Sequence, residues 1–139
     1  MTSQDLVESR LTDARQFLAY AEEAFQQKFY HHVVQFAERA TELALKALLV
    51  HLGRDVPHVH DLAALIGKLP VVRELPAETQ SRLHQSSHNL AEQRNESIYG
   101  KADGTPPDKI FDKPQAEEAL EQGRFVVSTV ESLVKTEEQ

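Results

Sequence analysis

Arg94 is followed directly by Asn95, and Tyr99 stands five residues beyond the arginine. A guanidinium stays ionised and forks two donors onto one anion, which suits it to phosphate or carboxylate. The neighbouring amide adds one acceptor and two donors. A phenol can donate a hydrogen bond to the same anion, but its ordinary pKa of about 10 suits it poorly to moving protons near neutrality. The register of the arginine sharpens the point. Leu83, Ser87, Leu90, Arg94 and Ile98 succeed one another at helical steps, so Arg94 projects from the face that should pack inward. A buried guanidinium needs a carboxylate, a phosphate or a wet cleft. Within the chain, Glu38 and Glu42 are the partners available if the side chain turns in; otherwise it snorkels from the helix end to water. Conflicts between local pattern and burial concentrate at functional sites.

The remaining candidates are less specific. His60-Asp61 follows a loop closed by Pro57, in which His58 and His60 flank Val59. Asp61 suits a helix cap, and His60 suits a tether of the loop or a place at the mouth of a cleft near Arg94. His84 and His88 have a spacing that can present two imidazoles to one ion. No His-Glu-x-x-His pattern accompanies them, and Arg82 and Glu92 flank the pair as on a solvated face, so no metal site is assigned. His31 and His32 fall in the first turn of a helix, where a protonated imidazole is disfavoured, and read as surface or interface residues. Lys101, Lys109 and Lys113 alternate with Asp103, Asp108 and Asp112 and read first as a solvated loop. Neither GxGxxG nor GxxxxGK[ST] occurs, and no strand carries a nucleophile elbow, so no cofactor is called for.

The elements that must position these residues are helices. Ser3 to Gln27 carries Val7, Leu11, Ala14, Leu18, Ala21 and Phe25 in steps of four and three, with Thr2 or Ser3 as cap. Phe29 to Leu52 has a wider band: Val33, Phe36, Ala37, Ala40, Leu43, Ala44, Ala47, Leu48 and Val50. That breadth predicts the central helix, with alanines permitting close neighbours and Gly53 as its stop. A shorter helix is expected from Asp61 to Leu69, ended by Pro70, with Leu62, Leu65 and Ile66 inward. The fourth long segment opens at Pro76, reaches Ile98 and stops at Gly100. Lys101 to Lys113 is turn-rich and cannot sustain a helix. The last helix starts near Pro114 with the stripe Ala116, Ala119, Gly123, Val126, Val130 and Leu133, and the tail Lys135 to Gln139 should fray. The expectation is an all-α, up-and-down bundle of four long helices plus a short one, forming a single domain over residues 1–139.

With 139 residues and a net charge of −7, the chain is unlike proteins that coat duplex DNA through bulk positive charge, although a local basic pocket is compatible with that balance. Cysteine is absent, which removes disulfides, thiolate catalysis and Cys-ligated zinc. No signal peptide and no apolar run of membrane length is visible, so a cytoplasmic location is the default expectation.

Three passages carry a family resemblance: the Ala/Glu/Lys-rich helix Phe36-Ala-Glu-Arg-Ala-Thr-Glu-Leu-Ala-Leu-Lys-Ala-Leu-Leu49, the turn Val59-His-Asp-Leu-Ala-Ala-Leu65, and Gln93-Arg-Asn-Glu-Ser-Ile-Tyr-Gly100 at the end of a helix. Over nearly its whole length the chain resembles the HEPN family, the nucleotide-binding helical domains of higher eukaryotes and prokaryotes. The family signature is an arginine, often followed by a polar residue, with a histidine four to six positions after it. Arg94 and Asn95 match. No histidine follows Arg94 anywhere toward the C-terminus, and Tyr99 occupies its slot.

In ribonuclease members the resemblance implies metal-independent RNA cleavage in a cleft between two protomers. The arginine stabilises the phosphoryl transition state and the histidine moves the 2′-hydroxyl proton. Arg94 and Asn95 therefore carry over as phosphate- or nucleotide-binding residues, and Arg94, Asn95 and Tyr99 as the catalytic set, with His60 and Asp61 supporting the loop. Two functions follow. One is an RNA- or nucleotide-binding homodimer, in its stronger form a toxin-like, metal-independent endoribonuclease. The other is a non-catalytic dimeric interaction module that partners a minimal nucleotidyltransferase, a reading to which the missing histidine lends weight.

Overall fold

The computed structural model of the chain describes residues 2–137. The first helix, α1 (Ser3–Gln26), begins at a reciprocal cap: the Thr2 hydroxyl accepts from the Asp5 amide while the Asp5 carboxylate accepts from the Thr2 amide. This satisfies two of the donors that a helix start leaves unpaired. After a tight turn in which Lys28 adopts φ 64°, α2 (Tyr30–His51) runs back along α1. So short a connection makes the pair antiparallel.

Two short helices follow where one was expected: α3 (Ala63–Gly67) and α4 (Pro70–Arg73). Pro70 does interrupt the first, but its fixed φ and missing N–H suit it to the first position of another helix, so it also opens α4. Asp61 was expected to cap this helix, but the N-cap of α3 is Leu62; Asp61, one residue earlier, still bonds the helix start, its carboxylate accepting from the Ala63 amide at 3.1 Å. Leu62 and Ile66 face inward, whereas Leu65 is exposed, because the helix is only five residues long and turns that side outward.

The fourth long segment, α5 (Ala77–Tyr99), has Pro76 at its cap. The turn-rich insert contains one 3-10 turn, Pro107–Lys109, and tucks Phe111 against Val34 and Leu90. Helix α6 (Lys113–Glu137) extends through part of the tail expected to fray; residues 138 and 139 lie outside the described residues. All of the stripe Ala116, Ala119, Gly123, Val126, Val130 and Leu133 is buried.

Helix α2 is the centre of the bundle, in contact with α1, α5 and α6. It buries Val33, Ala37, Ala40, Ala44, Ala47 and Leu48 as the pattern requires, and also Val34, Leu45 and Leu49. Phe36, Leu43 and Val50 are only half-buried, since the band is wider than any one neighbour covers. The α2–α6 contact is close because it is lined by small residues. A Cβ placed on Gly123 would lie 3.2 Å from both the Ala37 Cβ and the Leu18 Cδ2. The bundle is thus all-α, with four long helices and two short ones, and no helix among the described residues is long and apolar enough to cross a membrane.

Candidate functional site

Helix α5 packs against α2 with few large apolar residues, and serines make this feasible. Ser86, Ser87 and Ser97 are buried beside Leu83 and Leu90. The Ser87 hydroxyl donates to the Leu83 carbonyl, and the Ser97 hydroxyl donates to the Arg94 carbonyl at 2.7 Å, so neither hydroxyl needs water. Small, self-satisfied side chains let the helix approach where hydropathy alone predicts an exposed one. The Gln35 side chain ties the two helices further by donating to the Ser97 carbonyl.

Arg94 lies where its register places it, at the α2–α5 contact, with its side chain 22% exposed. Its Nε is 3.9 Å from the Glu38 carboxylate, one of the two partners that the sequence offers. Its Nη1 donates to the Asn95 side-chain oxygen at 3.3 Å, so Asn95, itself exposed, braces the guanidinium from the solvent side. Ile98, at the end of the same stripe, is 37% exposed rather than buried, because it faces an open cleft instead of a closed helix contact. Arg94 and Ile98 line a shallow cleft of about 180 Å³ with Phe17, Gln35, Phe36, Glu38 and Arg39. Tyr99 is 76% exposed at the last residue of α5 and is not part of that lining.

Glu38 does not stand alone. Glu42, one turn along α2, is also buried, and its carboxylate holds two close partners: Lys46 Nζ at 2.8 Å and His60 Nδ1 at 3.1 Å. Burial raises the pKa of Glu42, but the hydrogen bonds from Lys46 and His60 outweigh it and keep the group below the usual range. Burial pushes Glu38 up to about 8, helped by the adjacent Glu42 charge and a bond between the two carboxyls; Arg94 and Arg39 oppose the shift without cancelling it. The two shifts run in opposite directions, so a proton is held more tightly at Glu38 than at Glu42.

Among the described residues, Glu38, Glu42 and His60 also bring metal-capable atoms within 4.8 Å of one another. Glu42 is already taken by Lys46 and His60, and Arg94 stands beside Glu38, so a divalent ion would enter a cluster that already holds two cations.

His60 thus tethers its loop by bonding to Glu42. Asp61 does more than bond the start of α3, since its second oxygen lies 2.7 Å from Nδ1 of His88, whose Nε2 is 3.0 Å from Glu92. Hydrogen bonding from Asp61, then the Glu92 charge, raises the His88 pKa. The rings of His84 and His88 stack 6.1 Å apart, and the second of them is engaged by carboxylates. The loop is therefore clipped to α2 through His60 and to α5 through Asp61.

An aromatic strip extends from the cleft across α1 and α2. Phe17, Tyr20 and Phe36 meet at centroid distances of 5.8 to 6.1 Å, His32 lies 6.1 Å from Phe36, and Phe29 lies 5.8 Å from His32. The Arg39 guanidinium lies over the Phe17 ring at 5.8 Å. Tyr20 and Phe29 are about half exposed. The helical patterns hid this strip, because Tyr20, Phe29 and His32 fall off the inward stripe; aromatic residues close to an exposed arginine were the available signal.

The chain is an all-helical bundle with a guanidinium held in an aromatic-lined cleft. The HEPN domain family matches residues 7–133, and the chain belongs to that family. Its structure is similar to that of TT1696 from Thermus thermophilus, with a TM-score of 0.77 and 25% identity over 91% of this chain and 97% of that one. No curated protein matches. Membership supports a function related to nucleotides or RNA in general terms.

Proposed function

We propose that the chain acts as a homodimeric domain that binds RNA or nucleotide phosphate at Arg94, with Asn95 bracing the guanidinium. The observation that carries this reading is the cleft itself. Arg94 is partly sheltered, lines the cleft beside aromatic rings, and stands 3.9 Å from a carboxyl whose pKa burial raises, which leaves its charge available to an anion. The aromatic strip supports self-association, since exposed Phe and Tyr beside arginine have the composition of interface cores. In the stronger form of the proposal, two Arg94 cradles share one RNA backbone; a 2′-hydroxyl gives its proton to water and attacks the adjacent phosphorus, the bond to the 5′-oxygen breaks, and a 2′,3′-cyclic phosphate is left. The guanidinium steadies the charge that develops. Tyr99 donates a hydrogen bond to a phosphate oxygen or protonates the leaving oxygen.

A second reading is favoured by Tyr99. Its ring projects into solvent with neither a base nor an acid close beside it among the described residues, which suits a contact residue better than a proton carrier. On that reading the dimer is a non-catalytic module serving a minimal nucleotidyltransferase in the cytoplasm.

The test is structured RNA incubated with purified protein in EDTA, alongside Arg94→Ala and Tyr99→Phe. Cleavage lost in both variants supports the nuclease. RNA binding without cleavage, lost in Arg94→Ala alone, supports the binding module. RNA binding unchanged in Arg94→Ala removes Arg94 from the function, and a monomer in light scattering at micromolar concentration removes the homodimer.

A further inference from the structure

The two carboxyls on successive turns of α2 are treated very differently by their surroundings. Both are nearly buried, with side chains 5% and 10% exposed. Glu42 receives a lysine and a histidine at hydrogen-bonding distance. Glu38, the more deeply buried, has no cation at hydrogen-bonding distance among the described residues: besides the neighbouring Glu42 carboxyl it meets the Nε edge of Arg94 at 3.9 Å, beyond a normal hydrogen bond. If Glu38 were ionised, the guanidinium would close that gap and form a tight buried pair, leaving little net charge for a ligand. The loose contact is the geometry of a cation beside a neutral acid.

We propose that Glu38 is a positioning residue whose proton keeps Arg94 available: as a neutral acid it holds the guanidinium in the cleft without cancelling its charge, and as a carboxylate it captures Arg94 and competes with the bound phosphate. This rests on the reading of Arg94 as the anion site and adds a condition to it. The step is a proton exchange with solvent: Glu38 loses H⁺ to water as pH rises, and no other bond is made or broken.

The groups that face Glu38 are Glu42 and Arg39 from α2 and Arg94 from α5, with Lys46 and His60 reaching it through Glu42; α1 presents Phe17 to the same cleft. Burial and the Glu42 charge hold the proton on Glu38 up to about pH 8. Phosphate binding at Arg94 adds negative charge nearby and holds that proton more tightly. By linkage, proton and phosphate favour each other, so affinity is high below about pH 8 and falls above it.

The experiment measures the dissociation constant of a Cy5-labelled 2′-O-methyl oligoadenylate by fluorescence anisotropy, at constant ionic strength, from about pH 7 to about pH 9.5. The probe resists cleavage, and its bases and phosphodiesters do not titrate there. Wild type should weaken by roughly fivefold or more across that range, the order expected for one added charge at a partly wet site. Glu38→Gln, a permanently neutral isostere with its fold checked by circular dichroism, should bind as wild type does at pH 7 and stay flat. Equal slopes in the two proteins, or a flat wild type, would overturn the clamp while leaving Arg94 as the anion site. Binding by Arg94→Ala equal to wild type at pH 7 would instead overturn the site itself.

Discussion

Helix α2 makes two contacts that solve the same problem by opposite means. Toward α6 it presents Ala37, and Gly123 lets the helices close until only small atoms separate them. Toward α5 it presents Glu38 and Glu42, and the contact is closed by serines that bond their own backbone and by a proton shared between acids. The first contact gains from excluded water and dispersion and tolerates no extra volume. The second accepts charge in a half-dry place, which costs stability and retains a cation that can act. One helix thus serves as both keystone and site wall, and its two faces should respond differently to mutation and pH.

The largest effect is expected on the apolar face. Leu48, fully buried in the cluster that contains Val126, Val127 and Val130, should cost about 3 kcal/mol when changed to Ala, read by urea unfolding, with RNA affinity unaltered in the folded fraction. Gly123→Val drives its branched side chain into Ala37 and Leu18 and should cost about 2 kcal/mol by the same measurement. On the polar face the balance reverses. Arg94→Ala should reduce RNA affinity roughly tenfold, about 1.4 kcal/mol, with little change in the unfolding midpoint. An equal loss of stability and affinity there would erase the contrast between the faces.

Two smaller effects depend on pH. The folded pKa of Glu38 lies above its ordinary value, so the contribution of that acid to stability is fully present below about pH 4.5 and is lost as pH rises through about 8. The Tm of Glu38→Gln relative to wild type should climb across that window and then level off. The His88 pKa is also raised, so the clip to Asp61 and Glu92 stabilises most below about pH 6.5 and fades above the raised value. His88→Ala should lower Tm slightly at acidic pH and hardly at all at alkaline pH, and a loss independent of pH would mean that the ring only packs.

Much of the arrangement was legible beforehand. The stripes of α1 and α6 and the breadth of α2 follow from spacing alone, because each apolar residue has the same preference whatever its neighbour. Arg94 was visible for the opposite reason: its preference contradicts its register. The division at Pro70 was missed because proline stops one helix and starts another by the same fixed φ. The aromatic strip was missed because, apart from Phe36, it is built from residues that fall off the inward stripes.

The residues by themselves determined that the chain is helical, that α2 is central, and that a guanidinium stands on a packing face with a pair of glutamates as its available partners. The Glu42–Lys46 pair is set by helical spacing within α2; only the tertiary structure decided that Glu42 also took His60 and that Glu38 was left with Arg94 at arm's length. Helical pattern depends on near neighbours along the chain, whereas the charge of a buried acid depends on groups brought close from a loop and from another helix, and on the water that they displace.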